Sequence, residues 1–556
     1  MDDNLQIWVV DSLEKIFPNT IPPYNKELTP EPNWIRPPVE DRLVPRTGND
    51  ILLFCGARNE VESGQIAVRS ENNISTLKIE TGPLRHVSRC GVIGQENVRT
   101  FFQGLVSIDG YYYPDPLLED KELKIEASVT RAIWVNVYIP SNTAPGRYKG
   151  NIRIIADKKV REIDIELEVW PFILPDKPSF RLNLWFKPQY LCEYYQVKKW
   201  SQEYWNLVQK YAKDLAVHGQ KVITAPFCGP HSLVDWYLEQ NGGYGFDFTR
   251  LDRHVELFMN QGINELIEFF TMYPPHSPEK VSLELINRRT GENKKEIISV
   301  GSAKYDQIWT TFIRALSKHL EERGWLDKAM IKISDEPTKE EIDCWRKAAK
   351  LVKKASPRLK VTDAFARTKP YEQFIDCVDV WAVHLWNFDH DFAARCQSKG
   401  AEVWWYTCND CNNPNTFIKS SLIEARLIPW LMWENKVDGF LRWSYIDWSK
   451  TPWCDTKGYS SSPQGDKFLV YPGAEGPASS IRWEAMREGM EDYEYLTILD
   501  QLMKEKPYIS KESRTKLDRA IHRVVMGEKY TRDPFTLRSV RAYIAKAIVE
   551  LSSVPC

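Results

Sequence analysis

Eight short apolar runs alternate with helix-like stretches across residues 182–443. The runs are rich in Val, Ile, Trp and Tyr, as buried strands are, and the stretches between them carry apolar residues at helical spacing. Ile308, Phe312 and Leu316 show that spacing. The runs begin at Leu182, Lys221, Glu265, Met330, Lys360, Val380, Val403 and Gly439. Eight strand-then-helix units in one block predict a (β/α)8 barrel of the TIM type.

A different pattern fills residues 50–170, where short strand-like runs are separated by turn residues. Apolar and polar residues alternate in Ile163–Val169, which is typical of a strand with one buried face and one solvated face. The pattern predicts an N-terminal β-sandwich. Pro171, Pro175 and Pro178 follow it and form a stiff boundary before the barrel.

The end of the chain forms a third part. From about Arg514, apolar residues such as Leu517 and Ile521 recur at helical spacing, so we expect helices there. The predicted fold class is multidomain, β plus α/β, with a β-sandwich, a TIM-type barrel and a short helical tail. The predicted domains are the sandwich at 1–175, the catalytic barrel at 176–510, and C-terminal helices packed on the barrel at 511–556.

Charge and hydropathy exclude several classes of function. The 74 Lys and Arg residues nearly balance the 76 Asp and Glu residues, and no basic run is present, so we expect no nucleic-acid partner. The start, Met1–Gln6, is acidic where a signal peptide needs a basic segment. No run reaches the roughly 20 apolar residues that span a bilayer. We therefore expect a cytoplasmic protein without membrane insertion.

The 11 cysteines favour reduced thiols, because their number is odd and no secretory signal accompanies them. Cys408 and Cys411 form a C-x-x-C pair, which could be redox-active or half of a zinc site. No second pair or His-x-His cluster accompanies it. We therefore predict neither a metal site nor a cofactor.

One polar stretch, from about Pro275 to Gly301, interrupts the third strand–helix unit. Loops of this length inside a compact domain are usually functional or mobile. We predict a long loop that flanks the site.

Two acidic residues follow the fourth predicted barrel strand, and active sites of such barrels lie at the carboxyl ends of the strands. The sequence there reads Ser-Asp-Glu-Pro, with Asp335 and Glu336 as the acids. Pro337 disfavours helix at the residue before it, and Thr338 with Glu341 forms a capping box that starts the next helix. Both acids should therefore lie on the turn at the barrel mouth. Acids also favour helix N-termini for structural reasons alone.

Adjacent acids suit one type of glycoside hydrolysis. The usual retaining enzyme needs two carboxyl groups about 5 to 5.5 Å apart on opposite sides of the sugar, and neighbouring residues are poorly placed for that. They suit a mechanism in which the substrate's own 2-acetamido oxygen attacks the anomeric carbon. Asp335 would then hold the amide N–H and stabilise the oxazolinium-like intermediate, while Glu336 would protonate the leaving oxygen and later activate water.

Several motifs resemble glycoside hydrolase family 123 in their order along the chain. They are Ile333–Pro337, Val403–Cys408, Gly439–Trp443, Gly465-Asp466 with Tyr471–Gly473, Ser480–Glu484 with Arg487–Tyr493, and, in the predicted sandwich, Ala144–Gly150. The resemblance implies an exo-acting β-N-acetylgalactosaminidase that retains configuration through substrate assistance and acts on glycans such as those of glycosphingolipids. The expected partner is thus a carbohydrate with a terminal β-linked N-acetylgalactosamine. It also implies that the Asp-Glu pair carries the chemistry.

Further residues at the strand ends are candidates for substrate contact. Tyr406, near the end of the seventh strand, is the candidate donor to the acetamido carbonyl. Trp443 and Trp448 are candidates for an aromatic wall or a sugar platform. Candidates for hydroxyl contacts are His384, Trp386 and Asn387 after strand six, Trp185 and Lys187 after strand one, and Asp447 after strand eight. Each of these residues could equally be a packed core residue.

The residues leave three alternatives open. A glycan-binding protein without turnover would keep the same aromatic mouth. A β-N-acetylglucosaminidase would use the same mechanism on the gluco sugar. A glycosidase with a covalent intermediate would use a distant carboxylate, such as Asp410 or Asp447, as its nucleophile.

Overall fold

The structure is a computed structural model. It describes residues 5–21, 51–273, 280–367, 369–409, 414–457, 462–506 and 510–553. The chain divides into two compact units. The first unit joins Met1–Phe180, Asn412–Asn435 and Trp448–Cys556, and the second joins Arg181–Cys411 and Lys436–Asp447. The three-part division at 1–175, 176–510 and 511–556 stays a prediction.

Two β-sheets form the N-terminal part of the first unit. Their strands are β1 (Leu5–Val10), β2 (Ile51–Arg58), β3 (Glu60–Ser70), β4 (Ile74–Thr81), β5 (Leu84–His86), β6 (Val92–Ile93), β7 (Val98–Ile108), β8 (Tyr111–Leu118), β9 (Leu123–Ile125), β10 (Arg131–Ile139), β11 (Gly146–Ala156) and β12 (Lys159–Ile173). One sheet has the order β1-β3-β10-β7-β8. The other has the order β2-β12-β11-β4-β9, with β5 pairing β11 and β6.

The inner faces of both sheets share one hydrophobic core. Val68 and Ile133 of the first sheet belong to the same buried cluster as Leu77, Ile152 and Ile165 of the second sheet. Burial alternates along β12, as the sequence pattern requires for a strand with one face in a core. Burying each such side chain stabilises the fold by about 1.5–3 kcal/mol. The predicted β-sandwich is confirmed.

The described residues of the second unit include twelve strands. They are β13 (Leu182–Leu184), β14 (Val222–Pro226), β15 (Asp235–Leu238), β16 (Tyr244–Asp247), β17 (Leu266–Phe270), β18 (Lys280–Asn287), β19 (Asn293–Ser299), β20 (Ala329–Lys332), β21 (Lys360–Phe365), β22 (Val380–His384), β23 (Glu402–Thr407) and β24 (Gly439–Arg442). Eight of them form one parallel sheet in the order β13-β24-β23-β22-β21-β20-β17-β14.

The eight-stranded sheet curls into a nearly closed barrel. A parallel bridge joins Leu182 to Gln220, and the Lys221 N–H donates to the Leu182 carbonyl at 3.0 Å, so the first and last strands meet. Side chains fill the interior, among them Met330 and Leu441. All eight strand runs expected from the sequence contain a barrel strand, and the predicted TIM-type barrel is confirmed.

The remaining four strands form a separate sheet with the order β16-β15-β18-β19. The prediction of one long loop from Pro275 to Gly301 is therefore wrong for most of its length, because β18 and β19 form a hairpin there. Val281, Leu283 and Leu285 alternate with polar residues and are buried, which gives the hairpin one apolar face. Residues 274–279 lie outside the described part of the chain.

Helices follow most barrel strands. Those of the second unit are α1 (Gln189–Tyr195), α2 (Gln202–Val217), α3 (Thr249–Asn260), α4 (Ala303–Glu322), α5 (Ile342–Ala355) and α6 (His390–Ser398). Ile308, Phe312 and Leu316 are buried on one face of α4, as their spacing predicts. Side chains of Ser302 and Asp389 accept from backbone N–H groups at the starts of α4 and α6.

The first unit also contains the C-terminal helices. Its further elements are α7 (Leu422–Glu434), β25 (Tyr471–Pro472), β26 (Pro477–Ala478), α8 (Ile481–Glu505), α9 (Lys511–Ile521), β27 (Val525–Met526), β28 (Lys529–Tyr530) and α10 (Pro534–Ser553). The helical tail expected from about Arg514 is confirmed, and α10 contacts α8 and β12. Within the described ranges, no helix combines the length and the apolar character needed to cross a membrane.

Candidate active site

The two acids lie on the turn that leads from β20 towards α5. The Glu336 N–H donates to the Ala364 carbonyl at 3.0 Å, which ties the turn to the next strand, β21. Glu336 has a φ of 45°, a left-handed conformation that is uncommon for residues other than glycine. After the turn, the Thr338 N–H donates to the Glu341 carboxylate at 2.6 Å in a complete capping box. The predicted box is thus present, and it fixes the end of the turn.

Lys332, the last residue of β20, is the cation of the site. Its Nζ lies 3.1 Å from Asp335 Oδ1 and 3.2 Å from Asp363 Oδ1, and its side chain is 1% exposed. The same Nζ lies 4.8 Å from the ring centroid of Trp185. Burial alone would lower the pKa of Lys332, but the charges of Asp335, Asp363 and Glu268 raise it above its ordinary value. Lys332 is therefore an ammonium ion that faces Asp335.

Asp363 on β21 pairs with Lys332 and accepts further hydrogen bonds. Its Oδ2 accepts from the Ser334 N–H at 3.0 Å and from the indole N–H of Trp345 at 2.6 Å. Burial raises the pKa of Asp363 above its ordinary value, although Lys332 opposes the rise. The carboxyl group of Asp363 thereby links Lys332 to the backbone just before the acid pair.

Glu268 on β17 is another acid whose charge acts on Lys332. Its Oε2 accepts from the Asn183 side chain at 2.8 Å and from the Trp185 indole N–H at 3.0 Å. Burial raises the pKa of Glu268, and Lys332 again opposes the rise. The Trp185 ring meets the Phe270 ring edge-on at 4.9 Å. Trp185 is thus held in one orientation at the end of β13.

Tyr406 connects β23 to the acid pair. Its hydroxyl donates a short hydrogen bond to Glu336 Oε1. Burial, followed by the charge of Glu336, raises the pKa of Tyr406 above its ordinary value, so the phenol keeps its proton. The His384 ring meets the Tyr406 ring edge-on at 5.0 Å, and His384 Nε2 lies 3.5 Å from the Cys408 sulfur. The contacts therefore bring Tyr406 and His384 together beside Glu336.

Three more candidates form a second group. Lys187 Nζ lies 3.0 Å from Asp447 Oδ2 and 4.6 Å from the ring centroid of Trp443. Asp447 is buried, and Trp443 is half-buried at the end of β24. The predicted contacts of Trp443 and Asp447 with sugar stay predictions, but the two residues share Lys187 as a neighbour.

The remaining described candidates are Trp386, Asn387 and Trp448. Trp386 is 55% exposed, and the Asn387 side chain donates to the Ala366 carbonyl at 2.5 Å. Trp448 lies in the first unit, where its buried indole N–H donates to the Val470 carbonyl at 2.9 Å. Asp410, a candidate nucleophile, and Cys411 of the C-x-x-C pair lie outside the described residues.

Three charged residues of this site are absent from the sequence-based candidates: Glu268, Lys332 and Asp363. The one available signal is a charged residue inside an apolar strand, as in Met-Ile-Lys-Ile at 330–333. Such a residue at an inward position of a barrel must find a partner of opposite charge. Their mutual contacts follow only from the closure of the sheet.

Comparison with protein families identifies the chain. The model of the glycoside hydrolase 123 catalytic domain matches residues 185–499, and the model of the glycoside hydrolase 123 N-terminal domain matches residues 55–156. The chain belongs to glycoside hydrolase family 123. It is therefore a glycosidase, and its substrates are carbohydrates. Asp335, Glu336 and Lys332 lie within the match to the family's catalytic domain.

Comparison with solved structures concerns the fold. A family 123 glycoside hydrolase from Clostridium perfringens, studied for glycolipid glycan hydrolysis, is 20% identical, with a TM-score of 0.74 over 90% of this chain and 93% of that chain. A β-galacturonidase from Eisenbergiella tayi has a TM-score of 0.34 at 12% identity, over 77% of this chain and 68% of that one. The first likeness shows the fold, and the second carries no argument. No curated protein matches the chain.

Proposed function

We propose that this family 123 enzyme is a retaining exo-β-N-acetylgalactosaminidase that works by substrate-assisted catalysis. The observation that carries the proposal is the pair Asp335 and Glu336 on one turn, with the ammonium of Lys332 3.1 Å from Asp335. Two consecutive residues cannot easily flank a sugar from opposite sides, so the nucleophile must come from elsewhere. The 2-acetamido group of the substrate supplies it.

In the first step the acetamido oxygen bonds to the anomeric carbon while the bond to the leaving oxygen breaks. Asp335 accepts a hydrogen bond from the amide N–H and stabilises the positive charge of the oxazolinium-like intermediate. Glu336 gives its proton to the leaving oxygen. In the second step Glu336 takes a proton from a water molecule that attacks the anomeric carbon, and the acetamide reforms. Two inversions at that carbon give overall retention.

Tyr406 can form a hydrogen bond with Glu336 both when the carboxyl group is ionised and when it is protonated. Its O–H donates to Glu336 Oε1 in this structure. When Glu336 carries the proton as the general acid, it can donate to the phenol oxygen instead. The phenol O–H is then available to the acetamido carbonyl of the substrate, which is the role expected from the sequence. Polarising that carbonyl orients its oxygen for attack.

The galacto configuration and a glycolipid source are the finer parts of the proposal. They rest on the resemblance of the motifs to family 123, and the Clostridium perfringens enzyme of the same fold was studied for glycolipid glycan hydrolysis. Discrimination between the galacto and gluco sugars depends on the orientation of a single hydroxyl. A β-N-acetylglucosaminidase of the same mechanism is therefore the nearest alternative.

The test compares hydrolysis of aryl β-N-acetylgalactosaminide, β-N-acetylglucosaminide and β-galactoside. We expect cleavage of acetamido sugars only, with the galacto sugar preferred, and a loss of 10²–10⁴-fold in kcat for Glu336→Gln with a leaving group that needs protonation. Glu340→Gln is the matched control, because Glu340 is an exposed acid four residues along and should keep wild-type activity.

Each other outcome points to one alternative. Cleavage of the plain β-galactoside would contradict substrate assistance and favour a covalent mechanism. Preference for the gluco sugar would make the chain a β-N-acetylglucosaminidase. Binding of glycans without cleavage of any of the three substrates would favour the glycan-binding protein.

A further inference from the structure

A polar pocket of about 230 Å³ lies at the edge of the barrel, beside the carboxyl end of β14. We call it the rim pocket, and its lining includes Lys199, Trp200, Gly229, Arg250, Glu284 and Asn293. One wall is the loop after β14, and another is the separate four-stranded sheet, through β18 and β19. The volume equals about eight water molecules at about 30 Å³ each, which is the scale of one sugar ring.

The charges in the rim pocket balance. Arg250 pairs with Asp235, another lining residue, at 2.8 Å. Among the residues that the structure describes, Lys199 has no carboxylate partner within ion-pair distance, and its Nζ donates to the Pro230 carbonyl at 2.6 Å. Glu284, an exposed carboxylate, also lines the pocket. The lining therefore carries two cations, Lys199 and Arg250, and two acids, Asp235 and Glu284. Such a set offers donors and acceptors without net charge, which suits the hydroxyl groups of a neutral sugar.

Trp200 gives the rim pocket a rigid aromatic wall. Its φ of 67° is left-handed, which is a genuine outlier for a bulky residue. Its ring stacks on Trp205 at 5.6 Å, and Lys199 Nζ and Arg250 lie 4.7 and 5.1 Å from the ring centroid. Strained backbone conformations occur mainly at active sites and ligand-binding sites, and they persist only where the surrounding contacts hold them.

The topology places the rim pocket near the acid pair. β14, β17 and β20 are consecutive neighbours in the barrel, and Cys228, which lines the pocket, follows β14, while Asp335 follows β20. Neighbouring strands lie about 4.8 Å apart, so the carboxyl ends of β14 and β20 are separated by about 10 Å. A glycan of two or three residues spans that distance.

We propose that the rim pocket binds a neutral sugar of the leaving group, next to or one residue beyond the cleaved bond. The inference rests on the proposed function, because it assumes that Asp335 and Glu336 mark the cleaved bond. It predicts that the enzyme prefers an oligosaccharide to a terminal sugar on a simple aryl group. Lys199, Glu284 and Asn293 then contribute to substrate specificity.

The test uses Asn293→Trp, which fills the pocket from an exposed position on β19. Lys294→Trp is the matched control, since Lys294 is also exposed, is the next residue of the same strand and points to its other face. The substrates are the aryl glycoside and a trisaccharide with β-linked N-acetylgalactosamine on lactose. We expect the ratio of kcat/KM for the trisaccharide to that for the aryl glycoside to fall at least tenfold in Asn293→Trp and to stay at the wild-type value in Lys294→Trp.

A second variant, Lys199→Met, removes the ammonium that donates to the Pro230 carbonyl and lies 3.5 Å from His231 Nδ1, and it should lower the same ratio about tenfold, mainly through KM. An unchanged ratio in both pocket variants, with their melting temperatures preserved, would overturn the proposal.

A titration of lactose into the wild type measures binding without hydrolysis. We expect lactose to shift NMR signals of the wild type and to cause no such shifts in Asn293→Trp. Failure of the wild type on the trisaccharide as well as on every aryl glycoside would instead reject the proposed function. Tighter binding of an acidic disaccharide than of lactose would reject a neutral ligand.

Discussion

At the scale of single residues, the contact between Lys332 and Asp335 decides the electrostatics of the site. One ammonium faces Asp335, Asp363 and Glu268 in the barrel interior. The Lys332 ammonium lies 3.1 Å from Asp335 Oδ1 and holds that carboxyl group in place to stabilise a cationic intermediate. We therefore expect Lys332→Met to lower kcat/KM about 100-fold or more, mainly through kcat, because the variant leaves Asp335 without the contact that positions it.

The control for this variant is Lys339→Met, which removes an exposed lysine from the same loop and should leave kcat and KM unchanged. A purely structural role for Lys332 would lower the melting temperature and the amount of active enzyme but would leave kcat per active site at the wild-type value. An unchanged kcat per active site in a folded Lys332→Met variant would therefore contradict the positioning role.

At the scale of secondary-structure elements, the capping box joins the acid pair to α5. Thr338 and Glu341 exchange hydrogen bonds at the end of the turn that carries Glu336. Losing an N-cap side chain costs about 0.5–2 kcal/mol, which corresponds to a fall in melting temperature of about 2–4 °C per kcal/mol in a unit of this size. We expect Thr338→Ala to show this fall and to lower kcat more than it changes KM.

Thr338→Ser is the matched control, because serine keeps the capping hydroxyl and should restore both stability and kcat. A lower kcat in both variants would assign the effect to the threonine methyl group rather than to the cap. Scanning calorimetry and steady-state kinetics on the same preparations separate the two readouts.

The sequence predicted the elements that local patterns encode. The eight barrel strands, the sandwich strand at Ile163–Val169 and the capping box at Thr338 all follow from spacing within a few residues. The β18–β19 hairpin was missed although Val281, Leu283 and Leu285 alternate with outward-facing residues, because the long polar stretch that follows them, residues 287–296, is typical of a loop. Contacts such as that of Lys332 with Asp363 join different strands, and no local pattern encodes them.

At the scale of the whole molecule, buried charges join distant parts of the chain within the first unit. Arg426 of α7 pairs with Glu488 and Asp492 of α8, and Arg541 of α10 pairs with Glu60 and Glu62 of β3. These helices and strands come from three separate stretches of sequence. Patterns read along a chain yield contiguous domains, so a unit built in this way is difficult to predict from sequence alone.

The acids in this network outnumber the arginines that they face, and this has a consequence for stability. Burial, followed by the charge of Glu488, raises the pKa of Glu62 to about 8, against the attraction of Arg426 and Arg538. Burial also raises the pKa of Glu491, on α8, to about 7, and the charge of Arg487 opposes this rise. Both carboxyl groups thus bind a proton more tightly in the folded state than in the unfolded state.

Stability with respect to these two groups should therefore be highest below about pH 4.5, the ordinary pKa of glutamate, and should fall as the pH rises from there. The fall should level off above about pH 7 for Glu491 and above about pH 8 for Glu62. Each proton contributes about 1.4 kcal/mol per pH unit while it is bound only by the folded state. We expect the calorimetric transition of the first unit to move to lower temperature as the pH rises from about 5 to about 8. Glu62→Gln should reduce that shift, because glutamine fills the same space without a charge to bury.

The control is Glu71→Gln, which changes an exposed glutamate and should leave the shift unchanged. An equal shift in the wild type and in Glu62→Gln would show that Glu62 stays ionised and paired with Arg541 throughout.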